Sequence, residues 1–157
     1  MNFLFLCTGN SCRSILSEAI FNARAPEGFS ACSAGSKPTG KVHPLTLKTL
    51  QNLGISTHGL SSKTMQDCEQ FNPQVVITVC GSAAGEPCPL YLGKAIKAHW
   101  VLEDPSHLEV SEDEKMQAFM QTVEHINRRF DAFFALDLAH LSPEKLIVEI
   151  NKISEIA

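Results

Sequence analysis

The chain has no Cys-x-x-Cys pair, although it holds six cysteines, at positions 7, 12, 32, 68, 80 and 88. Its six histidines are scattered without ligand-like spacing to those cysteines, so a structural zinc site is not expected and no metal is assigned. No apolar run approaches the ~20 residues that span a bilayer, and no basic-plus-apolar leader opens the chain. A soluble, cytoplasmic protein is therefore expected, in which six thiols do not make a static disulfide framework. Positive charge is also scarce: 13 Lys and Arg against 17 Asp and Glu leave a net charge of −4. That balance argues against nucleic acid or an anionic membrane as the main partner, and leaves any bound anion to a local field. Internal repeats and low-complexity tracts are missing as well. What is there is 157 residues, 44 % of them hydrophobic, enough for one core and one domain.

The most informative stretch is the first. Asn2 to Leu6 reads as a buried parallel strand, and Ile15, Leu16, Ala19, Ile20 and Ala23 repeat at helical spacing. Between them lies Cys7-Thr8-Gly9-Asn10-Ser11-Cys12-Arg13-Ser14, a strand-to-helix turn with a cysteine and an arginine separated by five residues. Backbone N–H groups of residues 8 to 13 can point inward there and add to the positive end of the helix dipole, so a tetrahedral oxyanion fits. Gly9 and Asn10 enter left-handed backbone at least cost, which lets the amides curl into a nest. Arg13 offers a planar fork for two oxygens. The same field is expected to lower the pKa of Cys7 and make it a nucleophile at neutral pH. Ser14 either donates to that thiolate or serves as a helix-start serine.

Further along, Phe29–Ala34 is a short strand candidate ended by Gly35, and Pro44–Leu53 a helix closed by Gly54. Val75–Cys80 is a β-branched run of the kind buried in parallel sheets, and Ala98–Leu102 a fourth strand. Ser111-Glu112-Asp113-Glu114 is a capping box before a long amphipathic helix. Ser142-Pro143 opens a last one. Alternation of strands and helices implies an α/β fold with helices on both faces of an open parallel sheet. In such sheets ligands sit beyond the carboxyl ends of the strands, where the first strand delivers Cys7, the third Cys80 and the fourth Asp104. Asp104 precedes Pro105 and is either a proton donor held over the loop or a plain turn residue, with Glu103 the lesser candidate. Cys80 and Cys88 bracket a segment with two glycines and mostly small side chains, one that can move. Each could equally be an idle thiol. Cys32 reads as inert core, Cys68 has acidic neighbours that discourage a thiolate, and Cys12 is expected beneath the loop.

At Cys7–Ser14, Ser33-Ala34-Gly35, Cys80 to Cys88 and His99-Trp100 with Glu103-Asp104-Pro105, the chain resembles arsenate reductases built on the low-molecular-weight protein tyrosine phosphatase fold, the thioredoxin-coupled type most of all. The resemblance implies a three-layer sandwich around a four-stranded parallel sheet of order 2-1-3-4. Residues 1–134 would form the reductase domain and 135–157 a helical extension of it. It implies that Cys7 attacks arsenate within the loop Thr8, Gly9, Asn10, Ser11, Cys12, Arg13 and Ser14, that Asp104 protonates the leaving oxygen, and that Cys80 attacks Cys7 to expel arsenite. Cys88 then resolves the disulfide, and the Cys80–Cys88 pair goes to thioredoxin, or alternatively to glutathione and glutaredoxin, with no tightly bound cofactor and a role in arsenic detoxification. The alternative is a phosphatase for phosphate monoesters, and a third reading is a redox or arsenic sensor without turnover. A phosphatase needs one cysteine, whereas reducing As(V) takes two electrons, which one thiol cannot supply as an intramolecular disulfide. Ser106 stands where such phosphatases tend to have tyrosine, and the Cys80 to Cys88 spacing is one residue longer than in the best-known thioredoxin-coupled members. Near His58-Gly59-Leu60-Ser61 the threonine and aspartate that help bind potassium in some members are missing, so no potassium site is carried over.

Overall fold

A computed structural model describes residues 1–81, 92–107 and 110–157. Four parallel strands, β1 (Asn2–Cys7), β2 (Ser30–Gly35), β3 (Val75–Thr78) and β4 (Ile96–His99), are arranged in the order β2-β1-β3-β4. β1 is central: Cys7 pairs with Gly35 on one side and Leu6 with Thr78 on the other. Side chains alternate across this strand. Phe3, Phe5 and Cys7 enter the larger apolar core, while Leu4 and Leu6 enter a smaller one with Ala34, Cys68 and Val76.

The larger core is covered by α1 (Arg13–Arg24) and the long α3 (Glu112–Phe134), with α2 (Pro44–Asn52) alongside. Their apolar stripes are dense in aromatics. Phe3, Phe21, Phe130 and Phe133 are all but fully buried, with centroids 4.8 Å apart for Phe3–Phe21 and 5.5 Å for Phe21–Phe130. Each such ring contributes about 1.5–3 kcal/mol by leaving water. The opposite face is covered by a short 3-10 segment, Gln66–Phe71, and by Leu92, so the sheet is the middle of three layers.

Local signals set the ends of the helices. Ala25, extended before Pro26, stops α1. Gly54 follows α2 at a φ of +72°, and Ser111 accepts the Glu114 N–H at the start of α3. The last helix, α4 (Pro143–Ile153), sends Leu146, Ile150 and Ile153 into the larger core. Trp100 Nε1 donates to Ile150 O at 3.0 Å, and Arg129 of α3 donates to Ile156 O and Ser154 O beyond the end of α4. Burial and the neighbouring Arg128 pull the Arg129 pKa down to about 10. No helix among the described residues is long and apolar enough to cross a membrane.

Two strands differ from expectation. β3 ends at Thr78 rather than Cys80, and β4 spans Ile96–His99 rather than 98–102. Its register is fixed by β3, which pairs Val75 with Ile96. Trp100 and Leu102, whose apolarity suggested the later span, still donate their N–H groups to Thr78 O and Val79 O. The chain thus stays beside β3 on its way to Asp104.

Candidate active site

The turn after β1 is held from outside by its carbonyls. Thr8 O accepts from Lys37 N, Gly9 O from Thr39 N and Ser62 Oγ, and Ser11 O from His43 N and Thr46 Oγ1. Across a trans peptide the C=O of one residue points opposite to the N–H of the next, and no peptide bond among the described residues is cis. The N–H groups of Gly9, Asn10 and Cys12 therefore face the inside of the loop, as an anion nest requires.

Of the two residues expected to take left-handed backbone, only Asn10 does, with φ +46°. Its side chain is fully buried: Nδ2 donates to Ser14 Oγ at 2.8 Å and Ser33 Oγ at 3.0 Å, and Oδ1 accepts from Lys63 N at 2.8 Å. Ser14 is thus tied to Asn10. Gly9 matters for space instead, since a Cβ there would lie 3.3 Å from Thr39 Cγ2. Behind Asn10, Ser33 Oγ donates to Glu18 Oε1, which also meets Lys63 Nζ at 3.3 Å.

Arg13 opens α1 with its Nη1 on Leu102 O (3.1 Å) and its Nη2 on Asp104 Oδ2 (3.3 Å). Its Nε is buried with no partner among the described residues. A buried guanidinium donor beside inward N–H groups fits an oxyanion. Asp104 is fixed by Ser106, whose N–H (2.9 Å) and Oγ (2.6 Å) both donate to Oδ1. Glu103 lines a neighbouring cleft of about 400 Å³.

Cys7 is buried at the end of β1 and hydrogen-bonds to Cys80, whose Sγ also lies 3.4 Å from Thr8 Oγ1. The Cys80 contact and burial push the Cys7 thiol up, against Arg13 and the Thr8 N–H, which pull it down. A lowered thiol was expected from the loop alone, without the second sulfur beside it. Burial, then the Asp104 charge, pushes Cys12 up to about 12, in keeping with its place beneath the loop. Cys88 lies outside the described residues, as does most of the segment joining it to Cys80. Sequence reasoning met Ser33 only as part of a motif and Ser106 only as the residue in place of a tyrosine; their contacts with Asn10 and Asp104, and that of Lys63 with Asn10, escaped it. The Asp-x-Ser turn pattern was the one available signal, for Ser106.

Residues 2–145 match the family model for low molecular weight phosphotyrosine protein phosphatase. The chain is 33 % identical over 129 residues to an arsenate reductase of Bacillus licheniformis, covering 82 % of this chain and 91 % of that one. An arsenate reductase solved in a phosphate-binding state superposes with a TM-score of 0.63 at 26 % identity, covering 81 % of this chain and 94 % of that chain. A thioredoxin-dependent arsenate reductase of Corynebacterium glutamicum gives 0.61 at 28 % identity, over 83 % of this chain and 60 % of that chain.

Proposed function

Because the chain belongs to the low molecular weight phosphotyrosine protein phosphatase family, we propose that it turns that family's anion loop to the reduction of arsenate to arsenite, in the cytoplasm, for arsenic detoxification. The observation that supports this reading most is the second sulfur: Cys80 stands in hydrogen-bond contact with Cys7 at the loop. Phosphate-ester hydrolysis has no use for it.

Arsenate enters the nest of residues Thr8 to Ser14 and takes the Arg13 fork, Nε included. Asp104 then loses its cation and faces a bound anion, a change that favours its protonated form. Cys7, whose thiol is pushed up by Cys80 and burial, gives its proton to a basic oxygen of the bound arsenate and attacks arsenic as a thiolate while Asp104 protonates the departing oxygen, giving a Cys7–arsenic adduct and water. Cys80 next attacks the Cys7 sulfur. The S–As bond breaks with its electron pair going to arsenic, so As(V) becomes As(III), arsenite leaves and a Cys7–Cys80 disulfide remains. Cys88 attacks Cys80, freeing Cys7, and the Cys80–Cys88 disulfide is reduced by thioredoxin. The resemblance to the thioredoxin-dependent Corynebacterium enzyme favours that reductant over glutaredoxin. Residues 1–134 make up the reductase unit, with 135–157 as a helical extension of the same domain.

The test is NADPH consumption with arsenate, thioredoxin and thioredoxin reductase, run beside para-nitrophenyl phosphate hydrolysis. Arsenate-dependent consumption well above the rate of ester hydrolysis is expected. Ester hydrolysis with no arsenate-dependent consumption would make the protein a phosphatase.

A further inference from the structure

Two cysteines outside the relay meet in the smaller apolar layer. Cys32 lies on β2, paired with Leu4, and Cys68 on the 3-10 segment Gln66–Phe71; their Sγ atoms are 2.9 Å apart. A disulfide has S–S of about 2.03–2.05 Å, so about 0.9 Å of approach separates contact from bond. The two are not equivalent. Cys32 is half-buried, whereas Cys68 is 1 % exposed.

We propose that Cys32 and Cys68 form a second redox-active dithiol, oxidised by peroxides to a disulfide independently of the arsenate relay. Cys32 is the sulfur that peroxide attacks. The hydrogen bond with Cys68 and the Lys63 charge favour its thiolate, while burial and Glu18 oppose this. The Cys32 thiolate attacks one peroxide oxygen, the O–O bond breaks, and hydroxide leaves with a proton as water, leaving a sulfenic acid. Cys68 holds its proton chiefly because of its hydrogen bond with Cys32 and because it is buried. Oxidation of Cys32 removes the first of those causes. The Cys68 sulfur then attacks the Cys32 sulfur, and its proton leaves with the hydroxyl as a second water. Two thiols and one peroxide thus give one disulfide and two waters.

The bond would fasten the segment that supports the anion loop from behind. Ser62 Oγ reaches Gly9 O, Lys63 N reaches Asn10 Oδ1 and Lys63 O accepts from Gly35 N, only a few residues before Cys68. Oxidation therefore ties that support to β2 without consuming any thiol of the relay.

The full chain carrying Cys7→Ser, Cys80→Ser and Cys88→Ser keeps three thiols: Cys12, Cys32 and Cys68. After hydrogen peroxide, titration in denaturant should fall from three thiols to one, and non-reducing peptide mapping should find Cys32 joined to Cys68. Wild-type protein mapped the same way checks against a folding defect of the variant, and should yield the same cross-linked peptide. Three thiols remaining in folded protein, a sulfinic acid on Cys32 with Cys68 free, or a bond to Cys12 would each overturn the proposal. None of these readouts depends on arsenate turnover.

Discussion

Gly35 is where the loop is most sensitive to one added methyl. A Cβ built there would lie 2.5 Å from Thr8 O, 3.0 Å from Asn10 Cβ and 3.1 Å from Asn10 N, where ordinary contact begins at 3.4 Å. In Gly35→Ala the loop backbone must therefore withdraw by about 0.9 Å. Thr8 O is already held by Lys37 N at 3.0 Å, so its peptide cannot retreat without turning the Gly9 N–H out of the nest. A displacement of about 1 Å is worth on the order of 10²-fold in rate, and overpacking costs about 1–3 kcal/mol in stability. We expect kcat/KM for arsenate, from the thioredoxin-coupled assay, to fall by about 10²-fold, with a Tm loss of ~2–4 °C per kcal/mol. Gly28→Ala is the control. Its Cβ meets nothing within 4 Å but its φ is +91°, so it should lower Tm and leave turnover alone. A Gly35→Ala enzyme within twofold of wild type at full stability would refute the close-approach argument.

Arg13→Lys replaces a fork that serves Leu102 O and Asp104 together by a single ammonium; kcat/KM for arsenate should drop about 10²–10³-fold, as for a lost oxyanion donor, and near-normal kinetics would sink the cradle. Asp104→Asn should slow adduct formation by roughly 10²–10⁴ and abolish the alkaline limb of the pH–rate profile. Ser106→Ala, which removes the 2.6 Å bond to that carboxyl, should cost about tenfold with the limb displaced but present. Single-turnover mapping should show one arsenite and a Cys7–Cys80 bond in Cys88→Ser, against no arsenite but surviving slow ester hydrolysis in Cys80→Ser. Multiple turnovers by the latter would mean another thiol does the work. Alkaline stability carries the last prediction. Unfolded, Cys12 ionises near 9.0, and folded, near 12. Between those values the unfolded chain binds fewer protons, so stability intact below pH 9 falls as pH rises to 12, by about 1.4 kcal/mol per pH unit from this thiol. Urea midpoints at pH 8 and 10 should converge in Cys12→Ala relative to wild type.

The catalytic edge was legible because one short stretch carries it. Cys7 to Ser14 contains the proposed nucleophile, the nest and the fork within a single strand-to-helix turn, and strands ending near Cys80 and before Asp104 lead to the same edge. Strand limits were less legible, since apolarity marks burial and not pairing: Trp100 and Leu102 are buried past the end of β4. Contacts across large separations were invisible. Nothing in Cys32 or in Gln66-Asp67-Cys68-Glu69 signals that two sulfurs 36 positions apart will touch, because that depends on how the 3-10 segment lies over β2. The Cys7 thiol was misjudged for the same reason: the loop's field can be read from its own residues, but Cys80 arrives from 73 positions away.

Placing Cys7 at the end of the central strand has a consequence for biosynthesis. β1 leaves the ribosome before the other three strands, and Arg13 finds its partners Leu102 and Asp104 only after some ninety further residues have been made. At about 5–20 residues per second, that is a delay of roughly 5–20 s. Throughout that interval Cys7 and Cys12 are unburied thiols on a nascent chain with no anion nest closed around them. Oxidative stress should therefore damage newly made copies more than finished ones, and a pulse of peroxide during translation would reveal it as a loss of yield that mature enzyme does not share.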